Sequence, residues 1–128
     1  MRELLIVGAS GAVGAIGRYA LSGWVHELAG ARFPWGTLSV NVLGCFALGY
    51  LMHVSLTTTS ISPQWRLALG TGFLGAFTTF STFSYETVRE IERGAWGAAG
   101  ANIALNLALG IPATFAGLLL ARKLIGGA

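Results

Sequence analysis

The chain has 128 residues and a formal net charge of +3, and its composition is 54% hydrophobic but only 10% charged. Soluble globular domains carry about 25% charged residues, and a small fold has a large surface to cover with polar side chains. The composition therefore argues against an ordinary cytosolic enzyme and against a disordered chain, which requires low hydrophobicity. It points to a lipid bilayer as the solvent.

The basic and metal-ligating residues are dispersed along the chain. Basic side chains occur from Arg2 to Lys123 without forming a cluster, whereas nucleic-acid-binding proteins concentrate them on one face, so we expect no nucleic-acid partner. The single cysteine, Cys45, excludes an intramolecular disulfide. With only His26 and His53 beside it, the sequence does not offer a Cys/His zinc site.

Four apolar stretches follow one another along the chain, and each is long enough to cross a membrane as a helix, which takes about 20 residues. They cover approximately residues 4–29, 36–56, 67–88 and 95–121. Trp35, Trp65 and Trp96 stand near the starts of three of them, as expected for a side chain that prefers the lipid headgroup region. The sequence therefore predicts a single all-α membrane domain, residues 1–128, with four transmembrane helices.

The distribution of basic residues leaves the orientation of this domain almost undetermined. With four spans, the two termini and the second connection share one side of the membrane. That side carries Arg2, Arg66, Arg122 and Lys123, and the other carries Arg32, Arg89 and Arg93. Because an excess of Lys and Arg marks the cytoplasmic side, four against three gives almost no bias. Either one orientation is weakly preferred, or the chain inserts in both orientations.

The first stretch contains a glycine-rich pattern that imitates a dinucleotide-binding turn. Gly8, Gly11 and Gly14 follow an apolar opening, as in such turns. However, no acidic residue occurs between Glu27 and Glu86, and no alternation of strands and helices follows. We interpret the glycines as a small-residue helix face for close packing in lipid and expect no nucleotide cofactor.

Several polar residues lie within the apolar stretches. Arg18 is deep in the first, where a charged side chain usually faces protein or water; it either extends to the interface or lines a polar vestibule that favours anions. Asn41 lies in the second stretch, and Asn102 and Asn106 are four residues apart in the fourth, so they share a helix face. These asparagines either join helices by hydrogen bonds or line a polar pathway.

The third stretch combines aromatic rings with hydroxyl groups. Within residues 70–86, the phenylalanines Phe77, Phe80 and Phe83 alternate with Thr78, Thr79, Ser81, Thr82 and Ser84. Aromatic stripes often serve core packing. Phenyl rings also have a positive edge and hydroxyls donate hydrogen bonds, so this segment has the chemistry to coordinate a small anion stripped of water.

Three elements together resemble the CrcB/Fluc family of fluoride channels. They are residues 33–41 (FPWGTLSVN), the glycine-, threonine- and phenylalanine-rich residues 70–86, and residues 14–18 (GAIGR). The resemblance covers nearly the whole chain. It implies passive export of fluoride through two pores of a dual-topology antiparallel homodimer in the cytoplasmic membrane of a prokaryote.

The same resemblance implies roles for individual residues. Those matching the fluoride pathway are Asn41, Phe80, Phe83, Ser81 and Thr82, with Asn102 and Asn106 on a polar track of the fourth helix. Arg18 matches a vestibule arginine. The backbone carbonyls of Gly75 and Thr78 match the ligands of a central, structural Na⁺.

The residues of the third stretch also predict an interruption of its helix. Gly70, Gly72 and Gly75 each lower helix propensity by about 1 kcal/mol, and β-branched Thr78 and Thr79 follow, so we predict a break between about residues 75 and 79. Carbonyls freed at bilayer depth need a partner. Either threonine hydroxyls close back onto them, or carbonyls from two antiparallel copies meet around Na⁺.

Two other functions fit a small four-helix membrane protein. A small multidrug-resistance-type exporter has an essential Glu within its first helix, whereas Glu3 and Glu27 lie at the ends of the first stretch here. An accessory membrane protein would explain the small-residue faces but not the clustered Asn, Phe and Thr.

Overall fold

The computed structural model describes residues 1–126, and within that range it contains helices and no strand. The elements are α1 (Arg2–Ala29), α2 (Trp35–Thr57), α3 (Pro63–Arg66), a π-helix (Leu67–Leu74), α4 (Gly75–Phe77), α5 (Phe80–Glu92) and α6 (Trp96–Ile125). The segment from α3 to α5 is the predicted third span, so the predicted four helical segments are confirmed. Their ends lie within about four residues of the predicted ones.

Helices α1, α2 and α6 are each long and apolar enough to cross a membrane. Only 6% of the most apolar window of α1 and 11% of that of α6 is buried within the chain, against 44% for α2. Apolar side chains exposed to this extent are stable where lipid or another protein covers them. Helix α2 is therefore the central helix of the bundle.

Glycines bring α2 and α6 into direct backbone contact. A Cβ at Gly49 would collide with the backbone carbonyl of Thr114, and a Cβ at Gly117 would collide with that of Phe46. Small residues allow this close approach of helices in lipid.

The glycine stripe of α1 is used in part. A Cβ at Gly14 would collide with the Phe73 carbonyl of the π-helix, and one at Gly11 would lie 3.6 Å from the Gly72 carbonyl. Beyond the adjacent turns of α1 itself, no atom of the described residues lies within 4 Å of a Cβ at Gly8. The stripe therefore packs against the third segment at its centre and is open at its start.

The helical third segment is interrupted at two residues. Thr78 (φ −88°, ψ 157°) and Thr79 (φ −151°, ψ 111°) have extended backbones between α4 and α5. The break lies within the predicted interval. The preceding glycine-rich residues form a π-helix that the sequence analysis did not predict, and the Thr79 hydroxyl begins α5 by accepting the Thr82 N–H at 3.2 Å.

Candidate functional site

A cavity of about 320 Å³ lies beside the break, between α2, α5 and α6. Its lining includes Asn41, Cys45, Gly75, Thr78, Thr79, Phe80, Phe83 and Asn106. The structure thus brings four of the seven predicted pathway residues, Asn41, Phe80, Phe83 and Asn106, from three segments to one cavity.

The two phenylalanines lie on the first turn of α5. Their ring centroids are 5.5 Å apart and their planes are inclined by 56°. The Phe80 side chain is 78% exposed on the single chain, and Phe83 is half-buried. A ring this exposed at the edge of the cavity is available to an ion or to a second protein surface.

Asn41 binds both backbone polar groups of Thr79, one of the two extended residues of the break. Its Oδ1 accepts the Thr79 N–H at 2.8 Å, and its Nδ2 donates to the Thr79 carbonyl at 3.2 Å. The same Nδ2 donates to Asn106 Oδ1 at 3.2 Å. An amide nitrogen has two hydrogens, so both hydrogens of Asn41 have protein acceptors within reach.

The asparagines of α6 bond to one another and to α5. Asn106 Nδ2 donates to Asn102 Oδ1 at 3.0 Å and to the Asn102 carbonyl at 2.8 Å. Asn102 Nδ2 donates to the Thr87 hydroxyl at 2.9 Å. Asn102 is 0% exposed and does not line the cavity. The interhelical bonding that the sequence left as one interpretation is therefore present.

A second cavity of about 520 Å³ lies between α1, α2 and α5. It is lined by Ser22, His26, Thr37, Thr82 and Glu86, among others. The Thr79 hydroxyl, in the first cavity, donates to the Thr82 hydroxyl at 2.9 Å. A hydroxyl pair thus joins the two cavities, whereas Ser81 lines neither and is exposed.

Two residues of this second cavity were not assigned by the sequence analysis. Thr37 is 6% exposed, and it precedes Asn41 by one helical turn on α2. Glu86 is the only acid within the predicted third span. Both signals were present in the sequence. A polar residue one turn from a pathway residue shares its helix face, and an acidic residue within a membrane span usually has a functional role.

Arg18 contacts the break and lines neither cavity. Its Nε donates to the Ala76 carbonyl at 3.0 Å. In a continuous helix that carbonyl would accept from the Phe80 N–H four residues later. Arg18 therefore replaces a backbone donor that the break has removed.

The carbonyls of Gly75 and Thr78 have lost their helical donors and have gained no other. The Thr79 N–H, which would bond to Gly75, goes to Asn41, and the Thr82 N–H, which would bond to Thr78, goes to the Thr79 hydroxyl. Within residues 1–126, no hydrogen bond to either carbonyl is present.

The Thr78 hydroxyl donates to the Leu74 carbonyl at 3.0 Å, but that carbonyl also keeps its helical donor, the Thr78 N–H, at 3.1 Å. This bond therefore does not close back onto a carbonyl that the break has freed. Across residues 1–126 there is no cluster of three His, Cys, Asp or Glu side chains that could hold a metal ion. Two neutral oxygens fit a monovalent hard cation, whereas divalent cations normally require carboxylates.

Comparison with known proteins shows the family of this chain. Residues 5–118 match the model of the family described as CrcB-like protein, Camphor Resistance (CrcB). A protein of Geobacter sulfurreducens named "Fluoride-specific ion channel FluC" is 49% identical over 124 residues, which are 97% of this chain and 100% of that protein.

Two further relatives have the same name. That of Sorangium cellulosum is 47% identical over 127 residues, covering 99% of this chain and 100% of the relative. That of Acidobacterium capsulatum is 45% identical over 123 residues, covering 96% and 98%. With an extended family match and near-complete relatives at this identity, the chain belongs to the CrcB family.

Proposed function

We propose that this protein is a fluoride-selective channel through which fluoride leaves the cell passively, which relieves fluoride toxicity. Its relatives are named fluoride-specific ion channels, and a channel changes no covalent bond, so the protein is not an enzyme. The observation that carries the proposal is the cavity in which Phe80, Phe83, Asn41 and Asn106 meet at a broken helix.

The cavity chemistry suits an anion that holds water tightly. A channel must replace such a hydration shell with donors along a narrow path. Phe80 and Phe83 supply the positive edges of their rings. The bonds from Asn41 Nδ2 are long, at 3.2 Å, so an arriving anion competes with the Thr79 carbonyl and Asn106 Oδ1 for those hydrogens.

From there the path continues through the hydroxyl pair into the second cavity. The Thr82 hydroxyl accepts from Thr79 and keeps its own hydrogen for an anion. Ser81, on the exposed side of the same turn, offers a further hydroxyl. Asn102 belongs to the polar track through its bond to Asn106, and Arg18 adds a positive charge next to the break.

A second, antiparallel copy of the chain completes the channel. In lipid each unsatisfied polar group costs several kcal/mol, and broken helices occur only where protein or a cavity covers them. On the single chain Gly75 and Phe80 are exposed and Thr78 is half-buried, so a second protein surface can cover this part of the break. The nearly balanced basic residues permit insertion in both orientations, so one subunit inserted each way gives two equivalent pores.

A structural Na⁺ fits the carbonyls that the break leaves without donors. The carbonyl oxygens of Gly75 and Thr78 of each copy would hold the ion, which would take the place of the hydrogen-bond donors that these oxygens lack in lipid. The ion would clamp the dimer and would not need to move with fluoride. The dimer would reside in the cytoplasmic (inner) membrane, since the relatives come from bacteria and the chain has several membrane-spanning helices.

The direct test is ion efflux from liposomes that contain the purified protein. The vesicles are loaded with fluoride or with chloride, the membrane potential is collapsed with valinomycin, and efflux is followed with an ion-selective electrode. We expect rapid fluoride efflux and no chloride efflux above that of protein-free vesicles. Equal rates for the two anions, or efflux only under a proton gradient, would overturn the proposal, and the second result would favour a proton-coupled exporter.

A further inference from the structure

Five hydrogen bonds run in a single direction from one end of the first turn of α5 to the other. In order, they join Thr79 N–H to Asn41 Oδ1 (2.8 Å), Asn41 Nδ2 to Asn106 Oδ1 (3.2 Å), Asn106 Nδ2 to Asn102 Oδ1 (3.0 Å), Asn102 Nδ2 to Thr87 Oγ1 (2.9 Å) and the Thr87 hydroxyl to the Phe83 carbonyl (2.8 Å). We call this chain of bonds the amide circuit. It passes through α2, α6 and α5 and returns to the turn where it began.

The ends of the amide circuit determine the orientation of every amide within it. A side-chain amide can generally be turned by 180° with little change in shape. Here the first group is a backbone N–H, which only donates, and the last is a backbone carbonyl, which only accepts. Turning any one of the three amides would bring two donors or two acceptors together, so the circuit has one consistent direction.

The amide circuit has a half that lines the cavity and a half that does not. Asn41 and Asn106 line the cavity, and the bond between them is the longest of the five at 3.2 Å. Asn102 is 0% exposed and Thr87 is 7% exposed. Neither Asn102 nor Thr87 lines either cavity. The buried half therefore has no access to an ion, although it determines where the cavity-lining amides point.

We infer that Thr87 and Asn102 are positioning residues of the channel. They orient the amides of Asn106 and Asn41 and hold the first turn of α5, with Phe80 and Phe83, in place against α2 and α6. This inference rests on the proposed function, and it assigns a role to Thr87, which the pathway described above does not use. It also gives Asn102 a role that requires no contact with fluoride.

The test removes one hydroxyl and measures fluoride efflux as described above, per folded dimer. Thr87→Val keeps the side-chain shape but leaves Asn102 Nδ2 without its acceptor, so we expect fluoride efflux about tenfold slower because one buried hydrogen bond is lost. Thr87→Ser keeps the hydroxyl and should restore the rate to within about twofold. The matched control is Thr114→Val in α6, because the Thr114 hydroxyl bonds only within its own helix, to the Gly110 carbonyl at 3.1 Å.

A double-mutant cycle separates positioning from general stability. In an Asn102→Leu background the bond from Asn102 to Thr87 is already absent, so adding Thr87→Val should slow efflux no further. Additive losses, or a Thr87→Val channel as fast as the wild type, would overturn the inference. So would a Thr87→Ser variant as slow as Thr87→Val.

The same cycle is measured by equilibrium unfolding of the purified variants. A wild-type protein that carries no fluoride would refute the proposed function, and with it the positioning role. A non-additive loss of unfolding free energy would still confirm the amide circuit in that case. If instead the wild type conducts and only the cycle is additive, the inference alone fails.

Discussion

Replacing Gly44 by alanine should disturb the break from the opposite side of the cavity. Gly44 is buried in α2, and a Cβ there would collide with the Cγ2 methyl of Thr78, with Phe77 Cδ1 next at 3.6 Å. Thr78 cannot turn its methyl away freely, because its hydroxyl bonds to the Leu74 carbonyl. The Gly44→Ala variant must therefore shift the break and, because Thr78 turns away from the new methyl, give up that hydrogen bond.

The expected cost follows from these two contributions. Overpacking costs about 1–3 kcal/mol, and loss of the Thr78 hydroxyl bond costs about 1 kcal/mol. Alanine offsets about 1 kcal/mol through its higher helix propensity. We therefore expect Gly44→Ala to lower the free energy of unfolding by about 2 kcal/mol, which is roughly 30-fold in the folding equilibrium. Fluoride efflux should fall as well, because Thr78 borders the cavity.

A compensating substitution makes this reasoning specific. Thr78→Ser removes the methyl and keeps the hydroxyl, and the remaining neighbours of the new Cβ lie at ordinary contact distances of 3.6 and 3.7 Å. The Gly44→Ala/Thr78→Ser variant should thus regain most of the lost stability and efflux. A coupling free energy of about 1–2 kcal/mol is expected between the two sites.

The measurements are equilibrium unfolding in mixed micelles and fluoride efflux from liposomes. Gly100→Ala in α6 is the matched control, because no atom beyond the adjacent turns of its own helix lies within 4 Å of a Cβ there. If Gly44→Ala proved as stable and as active as Gly100→Ala, the packing argument would be wrong. It would also be wrong if the double variant were no better than Gly44→Ala.

Three further predictions concern the pore, the cation and the assembly. Phe80→Ile and Phe83→Ile should each slow fluoride efflux about tenfold, since the ring edge is lost while apolar bulk is kept; efflux near the wild-type rate in both variants would reduce the rings to packing. Replacing Na⁺ by a bulky organic cation throughout purification should lower dimer stability and activity, and unchanged values under rigorous Na⁺ depletion would remove the cation from the proposal. Adding three Lys residues to one end should force a single orientation and abolish efflux, and mixing oppositely biased variants should restore it; a uniformly oriented variant that stays fully active would contradict the antiparallel dimer.

The long helices and the position of the break could be predicted from the sequence because each depends on local chemistry. Length and hydropathy determine a membrane span, and consecutive β-branched residues after glycines weaken a helix where Thr78 and Thr79 become extended. The prediction that Asn41, Phe80 and Phe83 belong to one site came from the family resemblance. The residue types alone also fitted ordinary packing.

The remaining features depend on contacts between residues distant in sequence. The π-helix over Leu67–Leu74 has no local signal that separates it from an α-helix with glycines. Arg18 bonds across 58 positions to the Ala76 carbonyl, and no spacing rule indicates that pair. Asn102 was correctly placed on the face of Asn106, but its partner Thr87 becomes visible only when α5 and α6 pack together.

The break connects the proposed anion path to the proposed cation site through two backbone N–H groups. In a continuous helix these groups would satisfy the carbonyls of Gly75 and Thr78. Asn41 takes one from Thr79, and the Thr79 hydroxyl takes the other from Thr82. Each of these bonds fixes a polar side chain beside the break and at the same time leaves one carbonyl with unused acceptor capacity. Such carbonyls are costly in lipid. The same hydrogen bonds that position the side chains of the proposed anion path therefore make cation binding at the break favourable.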